Sequence, residues 1–117
     1  MEGNRTGEPL VDVDRLRQRF DDDMELLTEI FHVFVAETPG RRADIEAALA
    51  AGDVGRLNRL AHSLKGVAAT MFAEPLRQAA YALEMAARDN ALDHLAQLVA
   101  TLLALLEATC EQARRLG

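Results

Sequence analysis

Apolar positions recur along this chain at helical spacing, and no segment alternates as a strand would. Five segments emerge. The first runs from about Val11 to Phe20, with Val13, Leu16 and Phe20 in register. Asp21, Asp22 and Asp23 follow as acidic N-cap candidates, and Glu25 stands three residues after Asp22, as in a capping box. The second segment spans Asp23 to Ala51, its stripe formed by Leu27, Ile30, Phe31, Phe34, Thr38, Ile45, Ala48 and Leu49. Pro39 and Gly40 interrupt that stripe, but the period resumes in phase, which predicts one long helix kinked at Pro39.

Gly52 then reads as a helix-ending glycine and Asp53 as the next N-cap. The third segment, Val54 to Phe72, carries Leu57, Leu60, Ala61, Leu64, Val67, Ala68 and Met71 in a 3, 4, 3, 4 rhythm. Glu74 and Pro75 open the fourth, where an early proline does no harm; its inner face is Leu76, Ala79, Ala80, Leu83, Ala86 and Ala87. Asp89 and Asn90 end it. The fifth, Leu92 to Arg115, has Leu95, Val99, Leu102, Leu106 and Cys110 as its main stripe, widened by Leu98, Leu103 and Leu105. Four long helices on short connections predict an all-α fold: an antiparallel up-down-up-down four-helix bundle with a short additional N-terminal helix. Residues 1–9 have no apolar period and are expected to be a disordered tail, leaving 10–117 as one domain.

Composition narrows the classes. Half of the 117 residues are apolar, only 4% are aromatic and tryptophan is absent, as suits helices packed through aliphatic side chains. A net charge of −6 is the wrong sign for a general nucleic-acid binder or for an anionic membrane surface. No apolar run is expected to reach the roughly 18 residues of a membrane span, and the start lacks the apolar core of a signal peptide. A single cysteine, Cys110, allows no internal disulfide and suits a reducing compartment; the cytoplasm is the expected address and a monomer the expected state. His32 and His94 have no metal-ligand companion at helical spacing, so no zinc site is expected.

The chemistry concentrates in the third helix, at His62-Ser63-Leu64-Lys65-Gly66. Lys65 is the only lysine; every other basic residue is arginine. Each residue advances roughly 100° around a helix, which puts Leu60 and Leu64 about 200° from His62. His62 therefore shares the outward side with Asn58, Arg59, Lys65, Gly66 and Ala69. Gly66 costs ~1 kcal/mol relative to alanine inside a helix. A glycine on the outer face adds nothing to a core, and its use there is to let something approach the backbone. Neutral imidazole is a competent nucleophile near neutral pH. If it attacks a phosphoryl group, Lys65 one turn on can neutralise the charge that arrives, and Arg59 adds to the positive field. Read singly, each of these residues is equally an ordinary solvated side chain.

At these residues the sequence resembles the histidine-containing phosphotransfer (HPt) domain family of two-component phosphorelays. The hallmark H-x-[aliphatic]-K-G is met by His62, Ser63, Leu64, Lys65 and Gly66; small residues and Met71 follow, and Leu83-Glu84 matches a pair on the next helix. The resemblance implies that His62 is the phosphoacceptor, that Lys65 stabilises the phosphoryl charge, and that Glu84 orients the imidazole; alone, Glu84 reads equally as an exposed partner of Arg88. It implies that Gly66, Arg59, Ala69, Asn58, Leu26 and Val33 lie where a partner docks. The partners implied are receiver domains of a hybrid histidine kinase or a response regulator, with no nucleic acid and no membrane. The domain would be a phosphocarrier, not an enzyme, with no cofactor of its own; the catalytic groups and Mg²⁺ would come from the partner. Two other readings stand beside it: the amino-terminal phosphotransfer module of a chemotaxis-type kinase, and a helical adaptor that is never phosphorylated. A sensor-kinase dimerisation domain fits less well, because that family follows its histidine with an acidic residue and soon a proline. One departure from the pattern is Phe72, where many members carry glycine.

Overall fold

The computed structural model describes residues 10–117, so the expected tail at 1–9 lies outside the described residues. The elements are α1 (Val13–Arg19), α2 (Met24–Ala50), α3 (Val54–Thr70), α4 (Glu74–Arg88), a 3-10 turn (Leu92–His94) and α5 (Leu95–Leu116). No strand occurs among the described residues. Helix α2 packs against α3 and α5, and α4 packs against the same two, so the four long helices close a ring around one core. At 1.5 Å per residue the 27 residues of α2 span about 40 Å, close to the longest dimension of the molecule, 42 Å.

The predicted stripes supply that core. Leu27, Phe31, Phe34, Ile45, Leu57, Leu64, Leu76, Leu83, Leu102 and Leu106 are all buried. Ile30, Leu49, Leu60, Val67, Ala79, Ala86, Leu98 and Leu105, expected in the same stripes, are only partly buried and pack at its margin. The two buried hydroxyls are satisfied within their own helices: Thr38 donates to the Phe34 carbonyl at 2.8 Å and Thr109 to the Leu105 carbonyl at 2.6 Å. Helix α2 runs through Pro39 without a break. By length and mean hydropathy (1.3) the Leu92–Leu116 stretch would suit a membrane span. Its apolar side nevertheless faces the bundle, with Leu95, Val99, Leu102 and Leu106 buried.

Helix ends depart most from expectation. Asp23, not Asp22, caps α2, its side chain accepting from Leu26 N at 3.0 Å. Asp22 lies in the preceding turn and binds Arg17 Nε at 2.8 Å. Helix α1 starts at Val13, behind an Asp12 cap, and α3 ends at Thr70, short of Phe72. Helices α1 to α4 all terminate with the same paired backbone bonds, the 6→1 and 5→2 pattern of a Schellman motif. The residue in the left-handed position is Asp21, Gly52, Phe72 and Asn90 respectively, with φ between 53° and 67°. A phenylalanine there carries real strain. Its surroundings hold it: the Phe72 carbonyl accepts from Asp12 N at 3.0 Å, and the Arg15 guanidinium lies 5.2 Å from the ring centroid. With Val11 N donating to Gln112 Oε1 at 2.8 Å, these contacts fasten α1 across one end of the bundle.

A methyl group at Gly52 would meet nothing within 4 Å, so alanine there tests backbone conformation alone. Gly52→Ala is expected to destabilise the fold by about 1–2 kcal/mol, the cost of a left-handed L-residue. Urea denaturation reads the loss directly; an unchanged midpoint would mean that the turn re-forms without φ 67°.

Candidate functional site

Helix α3 divides its faces cleanly. Leu57, Ala61, Leu64 and Ala68 are buried, while Arg59, His62, Ser63, Gly66, Ala69 and Thr70 face solvent. The His62 side chain is 68% exposed, at mid-helix, with a bare backbone one turn later: a methyl group at Gly66 would meet nothing within 4 Å. Nothing inside the fold therefore requires glycine at that position. His62 and Phe72 stand ten positions apart, about 15 Å at a helical rise, so the unusual exit at Phe72 is remote from the imidazole.

The flank of α3 that turns toward α4 carries Asn58 and Lys65. Asn58 Nδ2 donates to the main-chain carbonyl of Glu84 at 3.0 Å, and so fixes the α4 backbone at the level of the site. That makes Asn58 a part-buried clasp between helices, whereas the sequence places it on an open docking rim. Glu84 then divides its carboxylate: Oε2 lies 2.8 Å from His62 Nδ1, and Oε1 lies 2.7 Å from Lys65 Nζ. Arg88, one turn further along α4, remains exposed.

The electrostatics fix the proton. The Lys65 ammonium paired with it and, secondarily, the hydrogen bond from His62 hold the Glu84 carboxyl below its usual 4.5, outweighing the opposing effect of burial. An ionised carboxylate only accepts hydrogen bonds, so the imidazole proton sits on Nδ1. In the neutral imidazole this leaves the lone pair on Nε2, on the exposed ring. The site thus presents an oriented nucleophile, a cation one turn away, and open backbone beside both.

Of the other residues expected near the partner, Arg59 and Ala69 are exposed on α3, and Leu26 and Val33 are 40% and 47% exposed on α2. Val33 lines a shallow groove of about 290 Å³ between α2 and α3, together with Ile30, Phe34, Val67, Thr70 and Met71; Leu26 does not line it. Sequence reasoning missed the Asn58 clasp and the contact of Tyr81 with Lys65, whose ammonium lies 5.2 Å from the ring centroid. The available signal was the i, i+3 spacing of Tyr81 and Glu84 on one face of α4. Among the described residues no three His, Cys, Asp or Glu side chains group as a metal site.

Residues 29–115 match the Hpt domain family. The fold is similar to the crystal structure of histidine-containing phosphotransfer protein B (HptB) from Pseudomonas aeruginosa PAO1. The TM-score is 0.82 at 27% identity, over 93% of this chain and 95% of that one. No curated protein sequence matches the chain.

The lowered Glu84 pKa makes stability depend on pH with a definite sign. A carboxyl held below its unfolded value stabilises the fold above that value, and the contribution disappears as pH falls through the folded one. Wild-type protein is therefore expected to be more stable than Glu84→Gln at neutral pH, with the gap closing as pH drops below 4.5. Urea midpoints between pH 7 and 3 check this; a gap independent of pH would remove the ionised carboxylate as its cause.

Proposed function

The chain belongs to the Hpt domain family, and from that premise we propose that His62 carries a phosphoryl group between receiver-domain aspartates in a two-component phosphorelay. The observation that carries this reading is the exposed imidazole whose Nδ1 is held by Glu84. The Nε2 lone pair attacks the phosphorus of an aspartyl phosphate on the partner. The N–P bond forms, the P–O bond to the aspartate breaks, and the aspartate leaves as a free carboxylate. The ring keeps its Nδ1 proton and becomes cationic, and Glu84 opposes that charge across 2.8 Å. Relay onward is the reverse reaction at a second aspartate. Lys65 supplies a mobile positive charge for the phosphoryl oxygens, and Gly66 admits the partner's surface to the helix.

On this reading the domain is a phosphocarrier. Mg²⁺ would be held by the partner receiver and would supply charge neutralisation at the acyl phosphate there. Arg59, Ala69, Val33 and Leu26 form the surroundings against which the receiver settles, the apolar groove on one side and the cationic residues on the other. The connections Ala51–Asp53, Met71–Ala73 and Asp89–Ala91 are short enough to support an up-down-up-down order of the long helices, and residues 10–117 acting as one domain. We place the protein in the cytoplasm as a monomer, a reading supported by the phosphorelay chemistry and by a lone cysteine that is buried.

His62→Gln is expected to abolish acid-labile phosphorylation by a phosphorylated receiver while leaving the helical content and urea midpoint close to wild type, because the side chain is largely in solvent. Label still accepted by the variant would assign the phosphoryl group elsewhere. Gly66→Ala separates the scaffold from the docking. It should raise fold stability by up to ~1 kcal/mol and slow transfer from the receiver; an unchanged rate in stopped-flow or rapid-quench measurements would show that the partner does not approach there.

A further inference from the structure

Lys65 is more enclosed than its place beside an exposed histidine requires. Its side chain is only 26% exposed, against 68% for His62. Two groups on α4, one turn apart, account for this: Glu84 Oε1 at 2.7 Å and the face of Tyr81, whose centroid is 5.2 Å from Nζ. Tyr81 is the only tyrosine, and it is 47% exposed. The ring is therefore not a core residue; the ammonium packed on it is the contact it makes toward the site.

Geometry makes this arrangement a resting place. Glu84 binds the Nδ1 edge of the imidazole, whereas the free lone pair lies on the Nε2 edge, turned away from that carboxylate. An ammonium seated on Glu84 and Tyr81 is already engaged. A phosphoryl group on Nε2 competes with both for it, and any movement of Lys65 toward that group weakens these contacts. Contacts made only before phosphorylation bias the equilibrium against the phosphorylated form, by as much as they stabilise the unphosphorylated one.

We propose that Tyr81 is a positioning residue of the phosphorelay: its ring stows Lys65 on α4 and thereby sets how strongly His62 retains a phosphoryl group. The proposal rests on His62 being the acceptor. A cation–π contact at a partly exposed site corresponds to roughly a two- to fivefold effect on an equilibrium constant. Losing the ring should therefore shift the balance toward phosphohistidine by that factor, and keeping the ring without its hydroxyl should not.

The test is the equilibrium distribution of phosphate between a receiver aspartate and this domain. Tyr81→Leu should move it about two- to fivefold toward the domain, Tyr81→Phe should leave it at the wild-type value, and Tyr81→Leu added to Lys65→Ala should change nothing further. An unmoved Tyr81→Leu overturns the proposal. So does a shift that survives in the Lys65→Ala background, which would make Tyr81 a direct contact of the receiver. Should Tyr81→Leu fold poorly, Tyr81→Gln repeats the loss of the ring. A second arm needs no phosphorylation: the Lys65 Cε protons should be shifted upfield by the ring current in wild type and Tyr81→Phe, and not in Tyr81→Leu. No such shift in wild type overturns the stowed placement. If the shift is present but His62 never takes label, the relay reading has failed, and this proposal with it, while the stowing contact stands.

Discussion

One carboxylate organises the working face of this bundle. Glu84 sits where α4 passes His62 and Lys65, and it engages both, one with each oxygen. Charge balance makes the arrangement durable: a largely buried anion with a cation on one oxygen has no reason to take up a proton, and so keeps accepting from the imidazole. The tautomer follows from that, and so does the side of the ring on which chemistry can occur. Asn58 holds the main chain of the same residue, so the carboxylate is fixed from behind as well as engaged from the front. The α3–α4 pairing is at once the scaffold and the alignment device.

The rest of α3 shows how a helix can serve a core and a partner without compromise between them. Ala61 and Leu64 are buried while their neighbours His62 and Ser63 stand in solvent, so a side chain added on the outer face perturbs no packing. The domain can accordingly offer a reactive ring to another protein while its interior stays closed.

Much of this was legible in the sequence, because helical periodicity sorts buried from exposed positions and the outward direction of His62 follows from the stripe opposite it. The Gly52 stop was equally readable, since glycine is the usual occupant of a left-handed helix end. Asp21, Phe72 and Asn90 occupy equivalent backbone positions without that signature, and the predicted boundaries slip there. Margins such as Leu60 and Val67 appear as core in a one-dimensional pattern, although the angle between helices leaves them half open. The Tyr81–Lys65 contact left only a faint trace, the shared α4 face of Tyr81 and Glu84, because it depends on the register between two helices, which no single stripe encodes.

The fastening of α1 has a consequence for where this domain begins. The family model matches from residue 29, inside α2, although the likeness to the HptB structure extends over 93% of the chain. The buried Leu16, the acceptor role of the Phe72 carbonyl and the guanidinium over its ring all depend on chain that lies before that point. A fragment cut at the family boundary would keep the histidine and its carboxylate intact. It would also uncover the far end of the barrel of helices and leave an aromatic residue in a twisted backbone with nothing to brace it. The stretch that the family model matches thus leaves out contacts that α1 makes with the bundle.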